Sequence, residues 1–283
     1  FGTGTLAFSD DAVFQTERET GRTVFYHVFM PTRAGEAVDV AFRDRARLDL
    51  AATPWEFVLA GNGGRATLLV DSAYEGVMKG LGNRNLVGRG TGLGEYLVRR
   101  GHVETGTYDF LHIGTPGTDQ RTTATLFATG RVEIAQGASM MVHGCYPLHT
   151  DKCFYGVAVG NAAALTGTRG TSYVHGELRV AGTFTQERGN FLVAEGPNAD
   201  GDVFHDGGNV SIVDNTTLEG ANTRGEVAIG AFGGHGRYTL TAGAFSTGHN
   251  VYLGGVTTND LFRWHVNGDV LQQYHDARGV LAV

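Results

Sequence analysis

The sequence predicts an all-β chain: a single-stranded right-handed parallel β-helix (β-solenoid) with atypical terminal caps. Three observations carry this expectation. Glycine fills 44 of 283 positions while proline fills only 5, about double the usual glycine share of ~7%. Apolar residues recur at period two over short runs, with almost no helical periodicity. A glycine-spaced pattern then repeats at an offset of 142 residues. The same composition excludes other classes. Collagen needs glycine at every third position and abundant proline. Leu, Ile, Val and Phe make up about a quarter of the residues, enough apolar mass to fold rather than stay disordered. The net charge of −7 offers no basic excess for nucleic acid. No run reaches the ~18 apolar residues of a membrane span.

The repeat is dense. Gly88, Gly92, Gly94 and Gly101 recur as Gly230, Gly234, Gly236 and Gly243, with Tyr96 falling on Tyr238 and Val98 on Leu240. Alternation puts Tyr96 and Val98 on one face of a strand. The glycines are assigned to coil corners, where positive φ or close backbone approach is needed. A short strand unit cannot bury its apolar side alone, so successive units stack and share one core. Units of roughly 22–30 residues give about ten coils and, at the ~4.8 Å strand spacing, a rod roughly 50 Å long. A β-propeller is the competing architecture, but its blades need about 40–50 regular residues each.

In chain order, residues 1–60 form an N-terminal capping or docking β segment. Thr23–Met30 is a strand-like run that stops at Pro31, and Val38, Val40 and Phe42 alternate after it. Phe25 and Val28 are its candidate assembly residues. Residues 61–258 hold the repeats, with strands expected around Ala66–Val70, Leu86–Val87, Tyr96–Val98, Arg131–Ala135, Val159–Gly160, Tyr173–Phe184, Asn190–Val193, Gly207–Ile212 and Ala228–Ile229. Residues 259–283 read as a C-terminal β-hairpin cap or docking segment. There Phe262–Val266 and Val270–Tyr274 flank an Asn267-Gly268 turn, a strong hairpin signal. Phe262, Trp264 and Val270 are assigned to assembly. The ends must differ from the middle because an open terminal coil exposes an adhesive edge.

The two cysteines, Cys145 and Cys153, flank Tyr-Pro-Leu-His-Thr-Asp-Lys. The first reading is a local disulfide pinching a loop, since Pro147 favours a turn between them. The alternatives are a zinc site with His149 and Asp151, whose spacing lacks a standard pattern, or two free thiols. A disulfide favours an oxidising, extracellular setting. The chain opens on Phe1 rather than Met, as expected if an export signal has been removed.

The cadence Val87-Gly88 … Gly92-Leu93-Gly94-Glu95-Tyr96, echoed by Ile229-Gly230 … Gly234-His235-Gly236-Arg237-Tyr238, resembles bacterial autotransporter passenger domains and related secreted Gly-rich β-strand repeat proteins. The resemblance spans about residues 60–255. It implies a right-handed parallel β-helix, export to the cell surface, and adhesion or scaffolding, and it supplies no catalytic residues.

Candidate chemistry is sparse. Gly88–Gly94 looks like a nucleotide loop but recurs at Gly230–Gly236, opens no helix and lacks a Gly-Lys-Ser/Thr ending. Asp200, Asp202 and Asp206 cluster oxygen donors suited to calcium, but Val203 and Asn209 break the EF-hand pattern. No cofactor other than calcium is suggested. Arg99, Arg100, His102 and Glu104 concentrate acid–base groups, although an exposed sheet face accounts for them. Trp55 and Trp264 could stack on sugars, with cap packing the simpler role. The expected function is therefore a non-enzymatic extracellular or cell-surface scaffold or adhesin, self-associating head to tail or laterally into a filament or layer. Surface glycans or host and cell-surface ligands are its expected partners. The alternative is a polysaccharide-binding or polysaccharide-degrading β-helix, a lyase or depolymerase.

Overall fold

Short period-two runs become strands throughout the computed structural model, which describes residues 3–15, 26–30, 33–49, 54–61, 63–79, 84–105, 110–116, 126–144, 155–162, 172–213, 226–231, 233–248, 250–256 and 278–283. One arm of parallel strands comprises β1 (Thr3–Phe8), β4 (Ala37–Asp44), β7 (Arg65–Ser72), β10 (Leu93–Arg100), β13 (Leu126–Ile134), β16 (Ser172–Val180), β19 (Ala199–Ile212), β21 (His235–Thr247) and β23 (Arg278–Ala282). A second arm comprises β2 (Val13–Gln15), β5 (Arg47–Asp49), β8 (Val77–Lys79), β11 (His102–Glu104), β14 (Ser139–Val142) and β17 (Thr183–Gln186). A separate eight-stranded sheet holds β3 (Tyr26–Met30), β6 (Pro54–Gly61), β9 (Arg84–Arg89), β12 (Phe110–Thr115), β15 (Tyr155–Asn161), β18 (Asn190–Glu195), β20 (Val227–Ala231) and β22 (Val251–Val256).

This all-β strand order corrects the expected architecture. In place of a single-stranded right-handed β-helix, hydrogen bonding defines two parallel sheets, of fifteen and eight strands. The larger sheet doubles back at β19, and its thirteen-strand path nearly closes like a barrel, with β1 and β2 as its ends. The cause is a single long strand. The first half of β19 pairs with β16 and its second half with β17, so one segment carries both arms. Period-two patterning shows where strands lie, but not that two of them run on without a break. Unit length is corrected too. Parallel partners along the first arm lie 25 residues apart at His175 and Asp200, but 46 apart at Thr129 and His175. Pairing that is parallel throughout the first arm also disposes of a propeller's antiparallel blades.

The core lies between the two arms and the smaller sheet. Leu68, Tyr96, Val132, Leu178, Val203 and Tyr238 occupy one register row of the first arm, and all are buried. Leu59, Val87, Ile113, Val159, Val193 and Ile229 form the matching row of the smaller sheet. Full burial of each aliphatic side chain stabilises by about 1.5–3 kcal/mol. Strands β12 and β18 are buried on both faces, which is why they read as continuous apolar runs rather than alternations.

The expected boundary at residue 60 falls inside β6, and β4 pairs with β7 across it. Val28 lies in β3 opposite Phe57. Phe25, Phe262, Trp264, Val270 and the expected hairpin lie outside the described residues, as do Cys145 and Cys153. Among the described residues no helix is long and apolar enough to cross a membrane.

Candidate functional site

The repeating glycines sit where neighbouring backbones press together. Gly88 and Gly230 have φ of 71° and 74°, and a Cβ on Gly88 would overlap the Thr129 carbonyl. Gly92 and Gly234 face the carbonyls of Ala60 and Ala194, while Gly94 and Gly236 face those of Leu59 and Val193. The 142-residue offset is thus a repetition of contacts as well as of letters. Gly101 (φ 107°) packs on the Met78 side chain, and Gly243 (φ 99°) on the Gly208 carbonyl.

Outward-facing residues of the first arm form a ladder of opposite charges. Glu95, Arg131, Glu177, Asp202 and Arg237 share one register row. Arg131 lies 3.8 Å from Glu95 and 3.1 Å from Glu177, and donates to Glu133 at 2.8 Å. Arg179 donates to Glu177 at 2.6 Å and covers the Phe204 ring at 4.6 Å. Partial burial pushes the Glu177 carboxyl up, but the Arg179 hydrogen bond and the charges of Arg179 and Arg131 hold it below its usual range. The same hydrogen bond raises the Arg179 guanidinium. Along the row the signs run minus, plus, minus, minus, plus, so each arginine has a carboxylate beside it while Glu177 and Asp202 are neighbours of like charge.

The acid–base candidates of the sequence are drawn apart. Arg99 pairs with Glu133, and Arg100 pairs with Asp71 at 3.2 Å. His102 Nδ1 meets Ser139 Oγ at 2.6 Å. Glu104 pairs with Lys79 and lies 3.5 Å from His143 Nε2, whose Nδ1 is 2.6 Å from Glu187. His143 and Glu187 were not anticipated. They follow directly on β14 and β17, at the position that Thr105 takes after β11, and the His143 amide donates to Thr105 Oγ1 at 2.9 Å. Only that register, invisible in a linear reading, brings them together. With each ring nitrogen facing a carboxylate, the imidazole acts as a bridge between successive strands of the second arm.

The same strand geometry sets the positions of the calcium candidates. Asp200, Asp202 and Asp206 lie along β19 rather than in a loop. Asp200 faces His235 at 3.7 Å and Asp202 faces Arg237 at 4.0 Å, while Asp206 accepts from Thr241 Oγ1 at 2.8 Å. Among the described residues no group of three His, Cys, Asp or Glu could hold a metal. In the interior, His205 is buried with Nδ1 3.1 Å from the Tyr238 hydroxyl. Burial lowers the His205 imidazole and raises the Tyr238 phenol.

The ends of the stack differ from this satisfied middle. Among the described residues, strands β1, β2 and β3 pair on one side only, as do β22 and β23. Leu6 at one end is 48% exposed and Leu281 at the other 41%, although both belong to the row that is buried everywhere between them. Near β1, Phe8 stacks on Phe42 at 4.7 Å and lies 5.7 Å from Phe14. These rings and Leu6 line an apolar cavity of about 50 Å³. No family model, curated protein or solved structure matches the chain.

Proposed function

We propose that the chain is a non-enzymatic structural or adhesive scaffold that associates end to end into a filament or surface layer. The observation supporting this reading is the pair of open strand edges at which a buried apolar row comes to the surface. Unpaired N–H and C=O groups on such an edge are a template for another strand. The charged ladder between the ends has its opposite signs already paired, which favours contact through the ends over contact through that face. Action outside the cell, with glycans or cell-surface ligands as partners, rests on the resemblance to secreted repeat proteins. Sedimentation velocity over a hundredfold concentration range, with negative-stain microscopy, tests the reading. Particles that lengthen with concentration at constant width are expected. A single monomeric species at every concentration and salt level would remove it.

A further inference from the structure

Resting on that end-to-end reading, we infer that copies join in one register: β23 of one copy lies parallel to β1 of the next, Gly279 opposite Gly4 and Leu281 opposite Leu6. The first and last described strands carry the same pattern, Gly4-Thr5-Leu6-Ala7 and Gly279-Val280-Leu281-Ala282. Both patterns occupy the same rows. Following the ladder strand by strand, Gly4 leads through Val38 and Ala66 to Gly94, and then through glycines alone to Gly236 and Gly279. From Ala66 onward the row holds only alanine and glycine, and at Gly94, Gly130, Gly176, Gly201 and Gly236 the neighbouring backbone leaves no room for a side chain. Leu6 likewise leads to Leu281 through the buried row that contains Tyr96 and Tyr238.

Among the described residues β1 and β23 each leave one edge unpaired, and the two edges are complementary. β1 is paired through one edge to β4, and β23 through the opposite edge to β21. A translated copy therefore brings two vacant edges together with strands pointing the same way, as a parallel ladder requires. In this register each half-exposed leucine closes over the other, and the inward row continues unbroken. A second copy is the occupant because it supplies at one end the strand pattern that the other end lacks. Among the described residues the smaller sheet has one strand fewer than the first arm, so the junction runs along the larger sheet. Across it, β22 and the next copy's β3 stand about two strand spacings apart, roughly 10 Å.

Cysteine pairing tests the register. Ala7 and Ala282 are exposed and would face each other across the junction, at the ~4.8 Å spacing of adjacent strands. In the 283-residue chain carrying Cys145→Ser and Cys153→Ser, Ala7→Cys and Ala282→Cys are introduced separately and treated with a short thiol cross-linker. A cross-linked dimer is expected when the two variants are mixed and from neither alone. Dimers from Ala7→Cys alone would indicate a head-to-head contact and overturn the register. Association by sedimentation without any cross-link would also overturn the register, leaving end-to-end assembly in place. Monomers throughout would overturn both and assign the edges to a different occupant. Leu6→Asp and Leu281→Asp, at half-exposed positions, should each weaken association about tenfold or more, with an unchanged circular dichroism spectrum.

Discussion

A left-handed backbone position recurs in the smaller sheet, occupied by Ala60, Gly88, Gly114, Gly160, Ala194, Gly230 and Gly254 with φ between 59° and 74°. Two of these seven are alanines, and a non-glycine residue there costs about 1–2 kcal/mol. Replacing Ala194 by glycine removes that strain but adds about 0.4–1 kcal/mol of unfolded-chain entropy. Ala194→Gly should therefore be neutral or stabilise by up to about 1 kcal/mol in urea melts. Ala66→Gly, at a buried position without positive φ, should instead destabilise by about 1 kcal/mol. Gly88→Ala combines a left-handed φ with overlap on the Thr129 carbonyl and should prevent cooperative folding. His205 gives a residue-scale pH dependence. Its imidazole is lowered from 6.5 by burial, so below that value the unfolded chain binds a proton that the native state resists. Stability should be fully present above pH 6.5 and fall as pH drops below it. Thermal midpoints measured from about pH 7.5 to about pH 5 should flatten in His205→Gln; an unchanged slope would assign the acid sensitivity elsewhere.

At the scale of elements, the charged row of the first arm adds a second loss of stability on acidification, in a lower pH window than that of His205. The lowered Glu177 carboxyl contributes stability above its unfolded value of 4.5, lost as pH falls through the still lower native value. Glu177→Gln should cost about 0.5–1 kcal/mol at neutral pH, as expected of exposed pairs, and reduce the loss of stability below pH 4.5. High salt should mimic the substitution. These pairs explain what could be read from the linear chain. The strands around Tyr96 and Tyr238, and the glycines beside them, were legible because alternation and close backbone contact act over a few residues. The double-faced β19 was not, since Asp200, Asp202 and Asp206 read as a separate carboxylate cluster ahead of the Gly207–Ile212 strand but lie within the same strand. Neither was the contact of Glu104, His143 and Glu187, which depends on partners about forty residues apart. Register across parallel strands is set by the whole stack, and local propensity carries no information about it.

Across the whole molecule, most pairing joins strands distant in sequence, and each strand of the first arm between β1 and β23 is held by two neighbours. Stability in such a stack is approximately a sum of unit and nearest-neighbour terms, so strands held on both sides open least often and edge strands most often. Amide exchange should accordingly be slowest in β10, β13 and β16, and fastest in β1 and β23, which each lack one neighbour. End-to-end contact supplies that missing neighbour without altering the middle. Raising the protein concentration should therefore slow exchange in β1 and β23 together, while β13 keeps its rate. Leu6→Asp should abolish the concentration dependence at both ends at once, because one junction consumes one edge of each kind. Protection that rises at β1 alone would require a contact between like ends, and protection rising equally in every strand would mean global stabilisation rather than a new ladder.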